Sequence, residues 1–127
     1  MTASEIETAL DLFRATMDKL KKDYDYHYAL VGECDLKCVD IVHKLELEDL
    51  GYHDRAKLAT EHRKVLKDRR CGKDTVALLT PVMKWLESSE KVVKQLDQII
   101  GEVRKIARVQ EMRSYKPRCK TEMGVQG

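Results

Sequence analysis

Cys34 and Cys38 lie one helical turn apart, and His27 falls two turns before Cys34 on the same row. Two thiols and an imidazole on one side of a helix are three parts of a zinc site. The fourth ligand would have to come from a second element, here His62 or Cys71. The competing reading makes Cys34 and Cys38 small core residues, in keeping with how often free cysteine is buried. That reading is preferred, and no metal is expected. Asp40, His43 and Glu46, at i, i+3 and i+6, carry acid–base groups, but nothing around them implies a pocket. The "GKDT" of residues 72–75 lacks the upstream glycine and the strand of a phosphate-binding loop. Neither a nucleophile elbow nor an HExxH motif is present. No catalytic residue and no cofactor is expected, and the chain reads as non-enzymatic.

The stretch that draws most attention is "EHRKVLKDRRCGKD", residues 61–74. Arg63, Lys67 and Arg70 at i, i+4 and i+7 share one helix face, while Arg69 and Lys73 form a neighbouring row with His62. If a hairpin turn is centred near Leu50–Gly51, Arg69 comes level with Glu33, Lys67 with Asp35, and His62 with Asp40. Three readings follow. Charge pairing could set the hairpin register, although exposed pairs contribute only about 0–1 kcal/mol each. The row could dock another protein. It could also meet nucleic acid, a reading weakened by the interleaved acids and the absence of aromatic stacking residues. The expectation is a split by face: Arg69 pairs with Glu33, and Arg63, Lys67, Arg70 and Lys73 are left for a partner. A small nucleotide ligand, which would need a polar cavity between helices, is a weaker alternative.

These residues must be carried by helices. Ser4 and Glu7 have capping-box spacing. After them Ile6, Leu10, Phe13, Met17, Leu20, Tyr24, His27, Val31, Cys34, Cys38, Ile41 and Leu45 recur at alternating steps of four and three, a sustained heptad seam. The spacing predicts one helix over about 5–48. Gly51 suits a left-handed C-cap and Asp54 the next N-cap, so a second helix is expected over about 54–79. Its apolar side would be Leu58, Val65, Leu66, Val76 and Leu79, with Gly72 as a kink. Thr80-Pro81 reads as N-cap and first-turn proline, so a third helix starts at 81, or a long helix bends there, and runs to about 112. Its seam would be Trp85, Ser89, Val92, Leu96, Ile99, Val103 and Ile106, widened by Val82, Leu86, Val93 and Ile100. Residues 114–127 lack periodicity and read as a flexible basic tail. The fold class is all-α: one elongated antiparallel helical hairpin or three-helix coiled-coil-like bundle over 1–113, expected to be oligomeric because its seam calls for cover. Ile6, Leu10, Phe13 and Met17 would overhang the shorter second helix, to be covered by the third helix running parallel to the first, or by a second copy in a homodimer.

Composition agrees. With 43% apolar and 36% charged residues, two prolines and six glycines in 127 residues, the chain leans toward long helices. The net charge of +2 does not make a general polyanion binder. It conceals an asymmetry, with acids concentrated over 33–54 and bases over 104–120. No apolar run has transmembrane length and the N-terminus does not resemble a signal peptide, so a cytosolic protein with reduced cysteines is expected.

The block "DIVHKLELEDLGYHDRAKLATEHRKVLKDRRCGKDTVALLTP", about a third of the chain, resembles small bacteriophage and prophage proteins of unassigned function. The shared residues are Asp40, Ile41, His43, Leu45, Glu46 and Leu47, then Arg69, Arg70, Lys73 and Asp74. The Gly-Tyr-Lys opening of the second helix in those proteins is replaced here by "RAKLATE". The resemblance implies an accessory protein acting in the host bacterial cytoplasm without a membrane. Such proteins often bind and disable a host enzyme or defence complex, CRISPR nucleases among them. The expected partner is thus a host or phage protein, with nucleic acid as the alternative.

Overall fold

The computed structural model describes residues 1–113; the basic tail expected over 114–127, and Cys119 within it, lie outside the described residues. The described chain is all-α, with helices α1 (Ala3–Leu47), α2 (Tyr52–Ser88) and α3 (Glu90–Met112). The described chain divides into two compact units: Ala15–Glu90, and Met1–Arg14 together with residues 91–113.

The N-terminal capping box forms two residues earlier than expected. The Thr2 amide donates to Glu5 Oε2 and the Glu5 amide donates to Thr2 Oγ1, each at 3.2 Å. Ser4 has the same spacing to Glu7 but already lies inside α1, so it cannot be the residue that precedes the helix. At the hairpin, Gly51 is not a left-handed C-cap. It is the N-cap of α2, in extended conformation at φ −66° and ψ 165°, and Asp54 sits in the first turn beyond it.

The third helix does not start at Pro81. Thr80 caps nothing; its hydroxyl donates to the Val76 carbonyl at 2.6 Å. Pro81 lies inside α2 on an exposed position, and the break falls at Ser89. The exposed side tolerates proline because water can serve the carbonyl whose donor is missing.

In the Ala15–Glu90 unit, α2 runs antiparallel to α1. Cys34, Ile41 and Val65 form the buried cluster, with Leu30, Cys38 and Leu58 packed against it. Gly72 is a close-packing site: a Cβ there would lie 3.0 Å from Val31 Cγ2 and 3.5 Å from the His27 carbonyl oxygen. Leu66, expected on the apolar side, is 45% exposed, because it follows the buried Val65 and points about 100° away from it.

In the other unit, α3 runs antiparallel to the start of α1, not parallel. Arg14 Nε lies 2.7 Å from Asp97 Oδ1, and Arg104 Nη2 lies 2.8 Å from Asp11 Oδ1. The parallel expectation depended on a turn at Thr80-Pro81 that does not occur. The buried row of α3 is also rotated from the expected seam. Ile100 and Ala107 are buried and Val93, Leu96 and Val103 half-buried, while Val92, Ile99 and Ile106 are about half exposed. Asp97 and Arg104 flank the buried row, so the ion pairs to α1 favour this rotation.

Candidate protein-docking site

The basic stretch is divided by the helix period. Val65 and Gly72 point into the hairpin and are buried. Arg69, half-buried beside them, reaches back to α1. Its partner is Asp35, with Arg69 Nε 2.5 Å from Oδ1, and not Glu33. Glu33 and Asp35 are separated by about 200° around α1, so only one can lie on the flank from which Arg69 projects. The turn fixes the level along the hairpin to within two residues, and the helix period fixes the side of the seam. Lys67 is exposed on the outward side, as expected of the row it shares with Arg63 and Arg70.

Arg63, Lys67, Arg70 and Lys73 are all exposed, and none makes an ion pair among the described residues. Leu66 emerges among them, one turn from Arg63 and Arg70. A leucine held out within a basic row gives the face an apolar anchor, which sequence reasoning missed by assigning Leu66 to the core. Lys73 also borders a groove of about 310 Å³ lined by Tyr28, Val31, Gly32, Asp35 and Val76. This groove is a surface hollow on the hairpin flank, with one cation and one carboxylate at its edges.

A second uncovered surface lies on the unit formed by the start of α1 and α3. Phe13 is 56% exposed, and Ile6, Ile99 and Ile106 are also exposed. They lie on the flank opposite the Arg14–Asp97 and Asp11–Arg104 pairs. Leu10 of the expected overhanging stripe is half-buried and Met17 is buried.

Among the described residues no group of three or more His, Cys, Asp and Glu side chains is placed to hold a metal. Cys34 belongs to the apolar cluster, whereas Cys71 is exposed. His27 packs edge-on against Tyr26, and its Nδ1 has no hydrogen-bond partner among the described residues. Asp40, His43 and Glu46 are all exposed. The hollow beside His43 is otherwise lined by Cys38, Val39 and Val42.

Burial pushes the Cys34 thiol above its ordinary pKa, the Asp68 carboxylate adds to the rise, and Lys37 opposes it. A folded pKa above the unfolded one gives a contribution that is intact below the unfolded value and lost as pH rises through the folded value. Stability should therefore decline on the alkaline side. The same burial sets reactivity. At neutral pH a thiol reagent is expected to modify Cys71 in the native protein and Cys34 only after unfolding, as read by peptide mass mapping. Prompt native labelling of Cys34 would contradict the core assignment.

Comparison of the chain with protein-family models, curated proteins and solved structures gave no match. No helix of the described residues is long and apolar enough to cross a membrane.

Proposed function

We propose that this chain is a non-enzymatic bacteriophage accessory protein that binds, and thereby inhibits, a host protein or an antiviral defence complex such as a CRISPR nuclease in the bacterial cytoplasm. The observation that carries the binding part is the outward face of α2, where Arg63, Lys67, Arg70 and Lys73 stand exposed around Leu66. An apolar residue within a cationic rim suits a protein surface that is acidic around a hydrophobic recess. The phage setting is supported by the resemblance of the 40–81 block. The protein also acts as a homodimer, a reading supported by the apolar side chains that one copy leaves exposed, Leu36, Val39 and Leu47 of α1 among them.

Charge reversal separates the two faces of the basic stretch. Arg69→Glu places a carboxylate beside Asp35 and should lower stability by about 1 kcal/mol at low salt, less at high salt. Arg63→Glu with Lys67→Glu should leave the melting temperature nearly unchanged and weaken capture of a host protein from infected lysate, mainly through slower association. An unfolded double variant beside a silent Arg69→Glu would mean the faces are assigned the wrong way round. If neither variant changes stability or binding, the docking reading fails. The same exposed cations favour nucleic acid as the second reading. Duplex DNA binding whose affinity falls steeply with salt would support it over a protein partner.

A further inference from the structure

Between Ala29 and Leu47, α1 is apolar on two sides. One side packs on α2 through Cys34 and Ile41. The other consists of Ala29, Gly32, Leu36, Val39, His43 and Leu47, all exposed, with Leu36 at 69%, Val39 at 49% and Leu47 at 81%. From Ala29 to His43 the steps alternate between three and four, the period that keeps a row facing one partner helix. Gly32 sits within this row. Glycine weakens a helix interior relative to alanine, and a Cβ at Gly32 would meet nothing within 4 Å. Nothing within one copy therefore requires glycine there, unlike Gly72, against which Val31 packs.

We infer that this outer row of α1 is the contact between two copies of the chain, paired antiparallel about a two-fold axis between Leu36 and Val39. The inference rests on the homodimer reading and assigns its surface. The axis places Leu36 against the second copy's Val39 and the space at Gly32 against the second copy's His43. A missing side chain then receives a large one, twice by symmetry. Along one flank of the row the charges alternate as Glu33, Lys37, Asp40 and Lys44, all exposed. In antiparallel order such a series interdigitates with itself: Lys44 reaches the second copy's Glu33, and Lys37 reaches its Asp40. A parallel pair would set Gly32 against Gly32 and His43 against His43, leaving a gap at one level and a crowded contact at the other. On the opposite flank Asp35 is already engaged by Arg69 of its own chain, so the dimer need not neutralise it.

Sedimentation equilibrium of the full chain at micromolar concentration, with circular dichroism as the check on folding, tests this. The wild type should sediment as a dimer. Leu36→Glu and Gly32→Trp change exposed positions, and each should give a helical monomer. Glu33→Lys with Asp40→Lys should also give a monomer, and adding Lys37→Glu with Lys44→Glu should restore the dimer mass. Ile99→Glu, on the other apolar surface, should remain a dimer. A monomeric wild type would overturn both the homodimer reading and the assigned surface. A dimer that survives Leu36→Glu and Gly32→Trp, or is lost in Ile99→Glu, would overturn the α1 row and leave the homodimer reading standing. Failure of the fourfold charge exchange to restore the dimer would overturn the antiparallel register.

Discussion

Replacing Gly72 with leucine is expected to lower stability by about 3 kcal/mol, at the upper end of ordinary overpacking. The first added carbon would sit 3.0 Å from Val31 Cγ2, and the His27 carbonyl oxygen lies 3.5 Å away. The valine methyl can yield a little. The carbonyl is part of the α1 backbone and can move only if the helices separate. Helix propensity acts in the opposite direction, since leucine is a better helix former than glycine by somewhat under ~1 kcal/mol, but that gain is smaller than the strain. Urea unfolding should show a lower midpoint with an unchanged slope. Val31→Ala in the same chain should restore part of the loss, because it removes the nearer obstacle. Gly32→Ala is the matched contrast. Its new methyl meets open space, so in dilute protein, below self-association, it should raise stability by about 1 kcal/mol. Equal behaviour of the two glycines would contradict the close approach at Gly72.

The second large effect is at Ile41, 5% exposed and clustered with Cys34 and Val65. Ile41→Ala should cost about 3 kcal/mol, the lost transfer energy together with the cavity left behind. A two-helix layer has few neighbouring side chains able to relax into that space, so partial collapse should offset little of the loss. Val42→Ala, one position on and 41% exposed, should change stability by about 0.5 kcal/mol or less. A chemical denaturation series distinguishes them. Similar losses at both positions would mean that α1 is rotated relative to α2 from the arrangement described.

The three-helix, all-α character was legible because the heptad seam of α1 is long and interrupted only by a glycine beside it. The core assignment of Cys34 and Ile41 followed from the same seam, and so did the exposure of Arg63, Lys67 and Arg70 from their shared face. Misreadings arose where a local signal had two valid contexts. Thr2 and Ser4 each have glutamate three residues on, and spacing alone does not say which begins the helix. Thr-Pro is a frequent helix start, but a proline on a solvent-facing position can also sit inside a helix, as Pro81 does. Gly51 suits a left-handed cap by residue type, yet its φ of −66° is open to any residue. The Arg69 partner was missed for a geometric reason: residue numbers give level along a hairpin, and only the helix period gives the side. Leu66 was lost to the core because two adjacent apolar residues, Val65 and Leu66, cannot both face one seam.

Pro81 has a consequence for how α2 opens. Proline has no amide hydrogen, so the carbonyl of Ala77 lacks the donor that the helix would otherwise supply, and both residues are exposed. Elsewhere in the interior of α2 the ladder is continuous; here one rung is absent, and the carbonyl is left to solvent. Fraying from the Ser88 end therefore meets its lowest barrier at this point. In native-state hydrogen exchange, amides just after Pro81 should trade deuterium through small local openings, while those around Val65 should exchange only with opening of the buried cluster.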